Sequence, residues 1–143
     1  MTDMTPVYIA APYAAPTDEG IRANVARACC LALYAVTGGL APLCVHPGIA
    51  AGAFGDDNKA SARERGLLAS TALATLVARD PQGRLWGIAT PGGGLTAGTT
   101  REVEAFRLRR AVRMRFGPAE WLSDQEALTI LPWTAWCERF VAV

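Results

Sequence analysis

The chain has 143 residues, 51% of them apolar and 19% charged, with a formal net charge of +1. That length and balance suit one globular domain spanning residues 1–143 with its own core. They speak against a nucleic-acid binder, which needs concentrated basic charge, and no apolar run reaches transmembrane length.

Val7-Tyr-Ile-Ala-Ala11 sits between Pro6 and Pro12 and is rich in strand formers, which predicts a buried first strand. Pro12 to Gly20 reads as a loop. From Ile21 to Val36 the apolar residues Ile21, Val25, Ala28, Cys29, Ala32, Leu33 and Val36 recur at helical spacing, and Gly38-Gly39 stops the helix. Leu40 to Val45 is a second strand, so the unit is β–α–β and its strands are expected to be parallel. His46 to Asn58 is glycine-rich and is expected to be irregular, a lid over a site. Ala60 to about Leu73 reads as a second helix. Ala74–Ala78 and Leu85–Ala89 are either a hairpin around Asp80-Pro-Gln-Gly83 or a helix end followed by a strand, and the strand at Leu85–Ala89 is expected in both cases. A glycine-rich loop follows, then a helix from Thr99 or Thr100 to about Arg110. Ala111 to Phe116 reads as a further strand, broken by Gly117-Pro118. The tail, with Trp121, Trp133, Trp136 and Phe140, is expected to be partly helical, packing down on the domain or forming a self-association surface. Alternating strands and helices predict an α/β fold in three layers, doubly wound around a mostly parallel sheet of Rossmann-like or flavodoxin-like type.

Arginine supplies 13 of the 14 basic residues. Cys29, Cys30, Cys44 and Cys137 contain no CxxC pair, so buried free thiols are expected and no metal site. The N-terminus carries Asp3 and no basic stretch. It therefore does not read as a secretory signal, and a cytoplasmic location is expected.

Thr90-Pro-Gly-Gly-Gly-Leu-Thr-Ala-Gly-Thr-Thr-Arg-Glu-Val-Glu104 carries the clearest functional pattern. A glycine-rich turn enters a helix whose free N–H groups and dipole attract an anion, and glycine lets backbone approach a phosphate or sugar closely. The stretch matches neither GxGxxG nor GxxxxGK[ST], so a plain flexible loop remains the alternative. Thr99 or Thr100 serves either as a site hydroxyl or as the helix N-cap. Glu102 either faces a pocket or favours the helix dipole. Glu104 lies about 200° further round the helix and so cannot share that pocket. Glu102 is therefore the expected inward acid.

Four pieces in order resemble the nucleoside 2-deoxyribosyltransferase-like superfamily, in particular its small bacterial and phage members. They are Tyr8-Ile-Ala-Ala-Pro-Tyr13, the helix with Asn24-Val-Ala-Arg-Ala28, the strand exit Leu43-Cys-Val-His-Pro47, and Leu85-Trp-Gly-Ile88 followed by Leu95-Thr-Ala-Gly-Thr-Thr-Arg-Glu-Val-Glu-Ala105. Together they cover roughly Val7 to Phe116. The resemblance implies N-glycosidic bond cleavage or transfer on a nucleoside or nucleotide, without a cofactor. It implies Glu102 as nucleophile, Tyr8 as the tyrosine that orients it and Tyr13 as a second candidate for that part. It also implies substrate contacts from Ala11 and Pro12 at the strand exit and from the loop residues Gly94, Thr96, Gly98 and Thr99. A homo-oligomer, a dimer or larger, is expected by the same analogy.

The family's aspartates before and after the central strand have no counterpart beyond Asp80, and its signature serine is Thr96. Hydrolysis is therefore expected over transfer. Breaking the bond passes through an oxocarbenium-like sugar that a carboxylate can stabilise or trap, and the leaving base ordinarily takes a proton. His46, the single histidine, is either structural or a substrate contact at a strand end. Asn24 and Arg27 either bind substrate or tie down the first loop. Arg63 and Arg65 either hold a 5′-phosphate or form a solvated face with Glu64. A non-catalytic nucleotide-binding or sensing module is the alternative reading.

Overall fold

The computed structural model describes residues 4–53, 55, 56, 58–116 and 120–134. Its elements are β1 (Thr5–Ala10), α1 (Asp18–Thr37), β2 (Leu40–Leu43), α2 (His46–Ala50), α3 (Ala60–Ala78), β3 (Arg84–Ile88), α4 (Ala97–Met114), α5 (Asp124–Ala127) and β4 (Leu128–Leu131). The strands pair in the order β2-β1-β3-β4, every pair parallel. This is the predicted doubly wound three-layer α/β fold.

Strand alternation builds the layers, since successive side chains point to opposite faces. Val7, Ile9 and Ala11 pack with Ala28, Leu31 and Ala35 of α1. Tyr8 and Ala10 point the other way, against Ala74, Val77 and Ala78 of α3 and Val103 and Phe106 of α4. The β1 core from Val7 to Ala10 has no solvent exposure, as expected for a central parallel strand covered on both faces.

Helix α1 begins earlier than its apolar spacing suggests. Thr17 caps it by accepting from the Gly20 amide at 3.0 Å, and Asp18 and Glu19 complement the dipole of the first turn. It ends at Gly38 and at Gly39, whose φ of +83° suits glycine. Ala74–Ala78 is the last part of α3, so no hairpin forms there. Gly83, which turns the chain into β3, leaves no room for a side chain: a Cβ would lie 2.1 Å from the Val77 carbonyl oxygen. Gly83→Ala is expected to cost about 1–3 kcal/mol through this overpacking. Urea unfolding measures it, and a midpoint equal to that of the parent chain would refute the tight approach.

Three expectations are corrected. His46–Asn58 is not wholly irregular, because Pro47 near the N-terminus of α2 favours the helical turn from His46 to Ala50. Ala111–Phe116 is not a strand. Its first residues complete α4, whose buried positions Thr99, Glu102, Val103, Phe106 and Arg110 keep helical spacing, while Val112, Met114 and Phe116 stay exposed. The fourth strand instead lies in the aromatic tail, at Leu128–Leu131, where Leu131 joins the core and Pro132 ends the run. Trp136, Cys137 and Phe140 lie outside the described residues. Among those described, no helix is long and apolar enough to cross a membrane.

Candidate active site

β1 and β3 lie side by side at the centre of the sheet, yet their chains leave to opposite faces, β1 toward α1 and β3 toward α4. In doubly wound sheets this switch point opens a crevice at the carboxyl ends of the strands. A pocket of about 330 Å³ occupies that place. Its walls come from the exit of β1, the start of α2, the first half of α3 and the first turns of α4.

Glu102 reaches the pocket because it belongs to the stripe that seats α4 on the sheet. Thr96 caps that helix, its Oγ1 accepting from the Thr99 amide at 3.1 Å and donating to Thr99 Oγ1 at 2.9 Å. The cap sets the helix start at Ala97, so Glu102 lies in the second turn and not in the first, where it would favour the dipole. Its side chain is 7% exposed, whereas Glu104 faces solvent. The Tyr8 hydroxyl, with no solvent exposure, donates to Glu102 Oε2. A phenol on β1 and a carboxyl on α4, 94 residues apart in the chain, thus meet, and of the two Glu102 lines the pocket while Tyr8 does not.

Burial controls the charges here. It pushes the Glu102 carboxyl up to about 7, against the opposing pull of the Tyr8 hydrogen bond. Burial also raises Tyr8 strongly, helped by the Glu102 charge. His46 is lowered, because burial disfavours the imidazolium more than its hydrogen bond to Ala11 favours it. Its Nε2 lies 2.9 Å from the Ala11 carbonyl oxygen, which can only accept, so Nε2 carries the proton. Nδ1 faces Cys44 Sγ at 3.8 Å. Burial lifts the Cys44 thiol to about 11, leaving it protonated and inert.

Replacing Tyr8 by Phe removes the donor that favours the Glu102 carboxylate. A hydrogen bond to a charged group contributes about 1.5–3 kcal/mol, so the Glu102 titration should move upward by at least about one pH unit. Carbon-13 NMR of labelled glutamate carboxyls reads this directly. An unchanged midpoint would show that the phenol does not hold the carboxylate.

Of the other predicted residues, Ala11, Tyr13, His46, Thr96, Gly98 and Thr99 line the pocket with Glu102. Pro12, Asn24 and Gly94 do not. Pro12 is buried behind the strand exit. Asn24 Nδ2 donates to the Tyr13 carbonyl at 2.9 Å, and its Oδ1 accepts from Arg27 Nη1 at 3.0 Å. The Arg27 guanidinium lies 3.7 Å from the centre of the Trp133 ring. Asn24 and Arg27 therefore tie the first loop and the tail to α1. The exposed Gly94 closes a turn, its carbonyl accepting from the Thr90 amide at 2.8 Å. Arg63 lines the pocket, while Glu64 pairs with Arg101 at 3.3 Å across α3 and α4.

Sequence reasoning passes over Ser70 and Leu67, which α3 turns into the pocket. Their signal is the spacing from Arg63 of four and seven residues, one face of a helix. Among the described residues, no cluster of three or more His, Cys, Asp or Glu could hold a metal ion. No protein-family model, curated protein or solved structure matches the chain. Fold and site together define a doubly wound α/β domain with a tyrosine-held carboxyl in its switch-point pocket.

Proposed function

We propose that the chain cleaves the N-glycosidic bond of a nucleoside or nucleotide with Glu102 as nucleophile, water being the preferred acceptor. The observation that carries this reading is the Tyr8 hydrogen bond to a buried Glu102 that lines the pocket. Tyr8 holds Oε2 and orients the carboxyl, leaving Oε1 to meet the anomeric carbon. A carboxylate in this place stabilises positive charge on the sugar or forms a glycosyl ester with it, and water then releases the sugar. Backbone groups at the start of α4 and the side chains of Thr96 and Thr99 flank the space for the sugar.

The reading is tested by incubating the protein with the common ribo- and deoxyribonucleosides and their 5′-monophosphates and detecting free base by chromatography. Release from one or more members of a panel that also holds base-methylated and pyridinium nucleosides is expected, and release from none of the panel retires the enzyme. A non-catalytic binding module is the second reading, favoured by one observation: Glu102 is the single acid among the described pocket residues. Calorimetry separates the two, because tight nucleotide binding without turnover belongs to the module.

A further inference from the structure

The pocket combines an uncompensated acid with walls that offer no acidic proton. Glu102 is deeply buried and its described hydrogen-bond partner is Tyr8. Among the described residues Glu102 enters no ion pair, Arg101 pairing with Glu64 and Arg110 with Asp124. A buried carboxylate without a counter-charge is costly, and a ligand that brings one is correspondingly favoured. Around it the pocket is apolar, with Ala11, Val45, Ile49 and Leu67, and it carries the Tyr13 ring. Apolar and aromatic walls suit a delocalised, weakly hydrated cation better than a compact ammonium ion.

The leaving base meets the second half of this arrangement. The titratable or charged groups about the pocket are Tyr8 and Tyr13 from β1 and its exit, His46 from α2, Arg63 from α3 and Glu102 from α4. Tyr8 spends its proton on Glu102. His46 is neutral and spends its Nε2 proton on Ala11. Arg63 sits two turns, about 10 Å along the helix axis, before Ser70. Tyr13 offers only a phenol, a weak acid. Asp18 and Asp56 line an adjoining groove beyond Tyr13 and Ile49, not this pocket.

We infer that the substrate is an N-glycoside whose base is already a cation, an N-quaternised ring such as a pyridinium or an N-alkylpurinium, recognised by the buried charge of Glu102. This inference rests on the proposed N-glycosidic cleavage. In the step, a Glu102 oxygen bonds to the anomeric carbon as the carbon–nitrogen bond breaks. The bonding pair goes to the ring nitrogen and cancels its positive charge, so the base leaves neutral without taking a proton. Water then opens the glycosyl ester, giving free sugar, the restored carboxylate and one proton to solvent.

Two measurements test it. In the first, base release from N7-methylguanosine is compared with that from guanosine, and nicotinamide riboside with uridine, each rate corrected for the uncatalysed one. The cationic member should be split at least 100-fold faster, and the better of the two cations identifies the ring. In the second, calorimetry compares 1-methylnicotinamide with neutral nicotinamide at pH 6 and pH 8. Glu102 passes from about one-tenth to about nine-tenths ionised between these values. The cation should therefore bind roughly tenfold tighter at pH 8, nicotinamide should show no such change, and Glu102→Gln should erase the difference.

If neutral nucleosides are split as fast as cationic ones, the charge rule is overturned and the glycosidic reading stands. If nothing is split but the cation binds with this dependence on pH and on Glu102, cation recognition stands and the glycosidic reading falls. If neither splitting nor selective cation binding is found, both fall.

Discussion

Glu102→Gln is expected to lower base release at least about 10³-fold, equal to some 4 kcal/mol of transition-state stabilisation. The substitution removes the nucleophile and keeps nearly everything else. Glutamine has the volume of glutamate, and its Oε1 can still accept from Tyr8. The stripe of Thr99, Val103 and Phe106 that seats α4 is untouched. The variant should therefore fold as the parent does and bind neutral ligands with similar affinity. Chromatographic assay of free base, beside a circular dichroism spectrum, checks both halves. A residual rate within tenfold of the parent's would remove Glu102 from the reaction. In the parent, activity should rise with pH through about 7, because the ionised carboxyl is the reactive form and burial holds its titration there.

The same substitution should change how stability depends on pH. Burial raises the Glu102 carboxyl from the ordinary 4.5 to about 7, so between these values the folded chain holds a proton that the unfolded chain has lost. Where the native state binds more protons, unfolding free energy falls as pH rises. The cost is absent below pH 4.5, grows across the window and is complete above about pH 7, where it reaches about 3 kcal/mol. Glu102→Gln carries no such charge. It should match the parent near pH 4 and exceed it by about 2–3 kcal/mol at pH 8. Urea unfolding at the two pH values gives the comparison, and parallel curves for the two proteins would overturn the placement of an ionisable carboxyl in the core. Such a cost is the sort of stability that functional sites give up for reactivity.

Much of this site is legible because it rests on local patterns. A glycine-rich turn before a helix is visible in any reading of residues 90–104, and helical geometry separates Glu102 from Glu104 without further knowledge. Thr96 as the cap is harder to see, since Thr99 and Thr100 are equally good capping residues and only the loop's path decides among them. Ala111–Phe116 misleads for a related reason: its apolar residues suit a strand, but α4, already running from Ala97, carries the chain through them. Leu128–Leu131 is hidden among aromatic residues, because a strand of four residues carries little periodicity.

By itself the sequence determined the alternation of strand and helix, the central buried strand at Val7–Ala10, the glycine stops and the inward face of Glu102. These follow from side-chain period, backbone restriction and helix geometry, all of which act over a few residues. Only the tertiary structure decided the strand order, which brings β1 beside β3 and so places Tyr8 against Glu102 across 94 positions of chain. It alone decided that Asn24 ties a loop, that Ser70 faces the pocket and that His46 is held neutral against Ala11. Those outcomes depend on burial and on partners distant in sequence, and burial is a property of the folded chain.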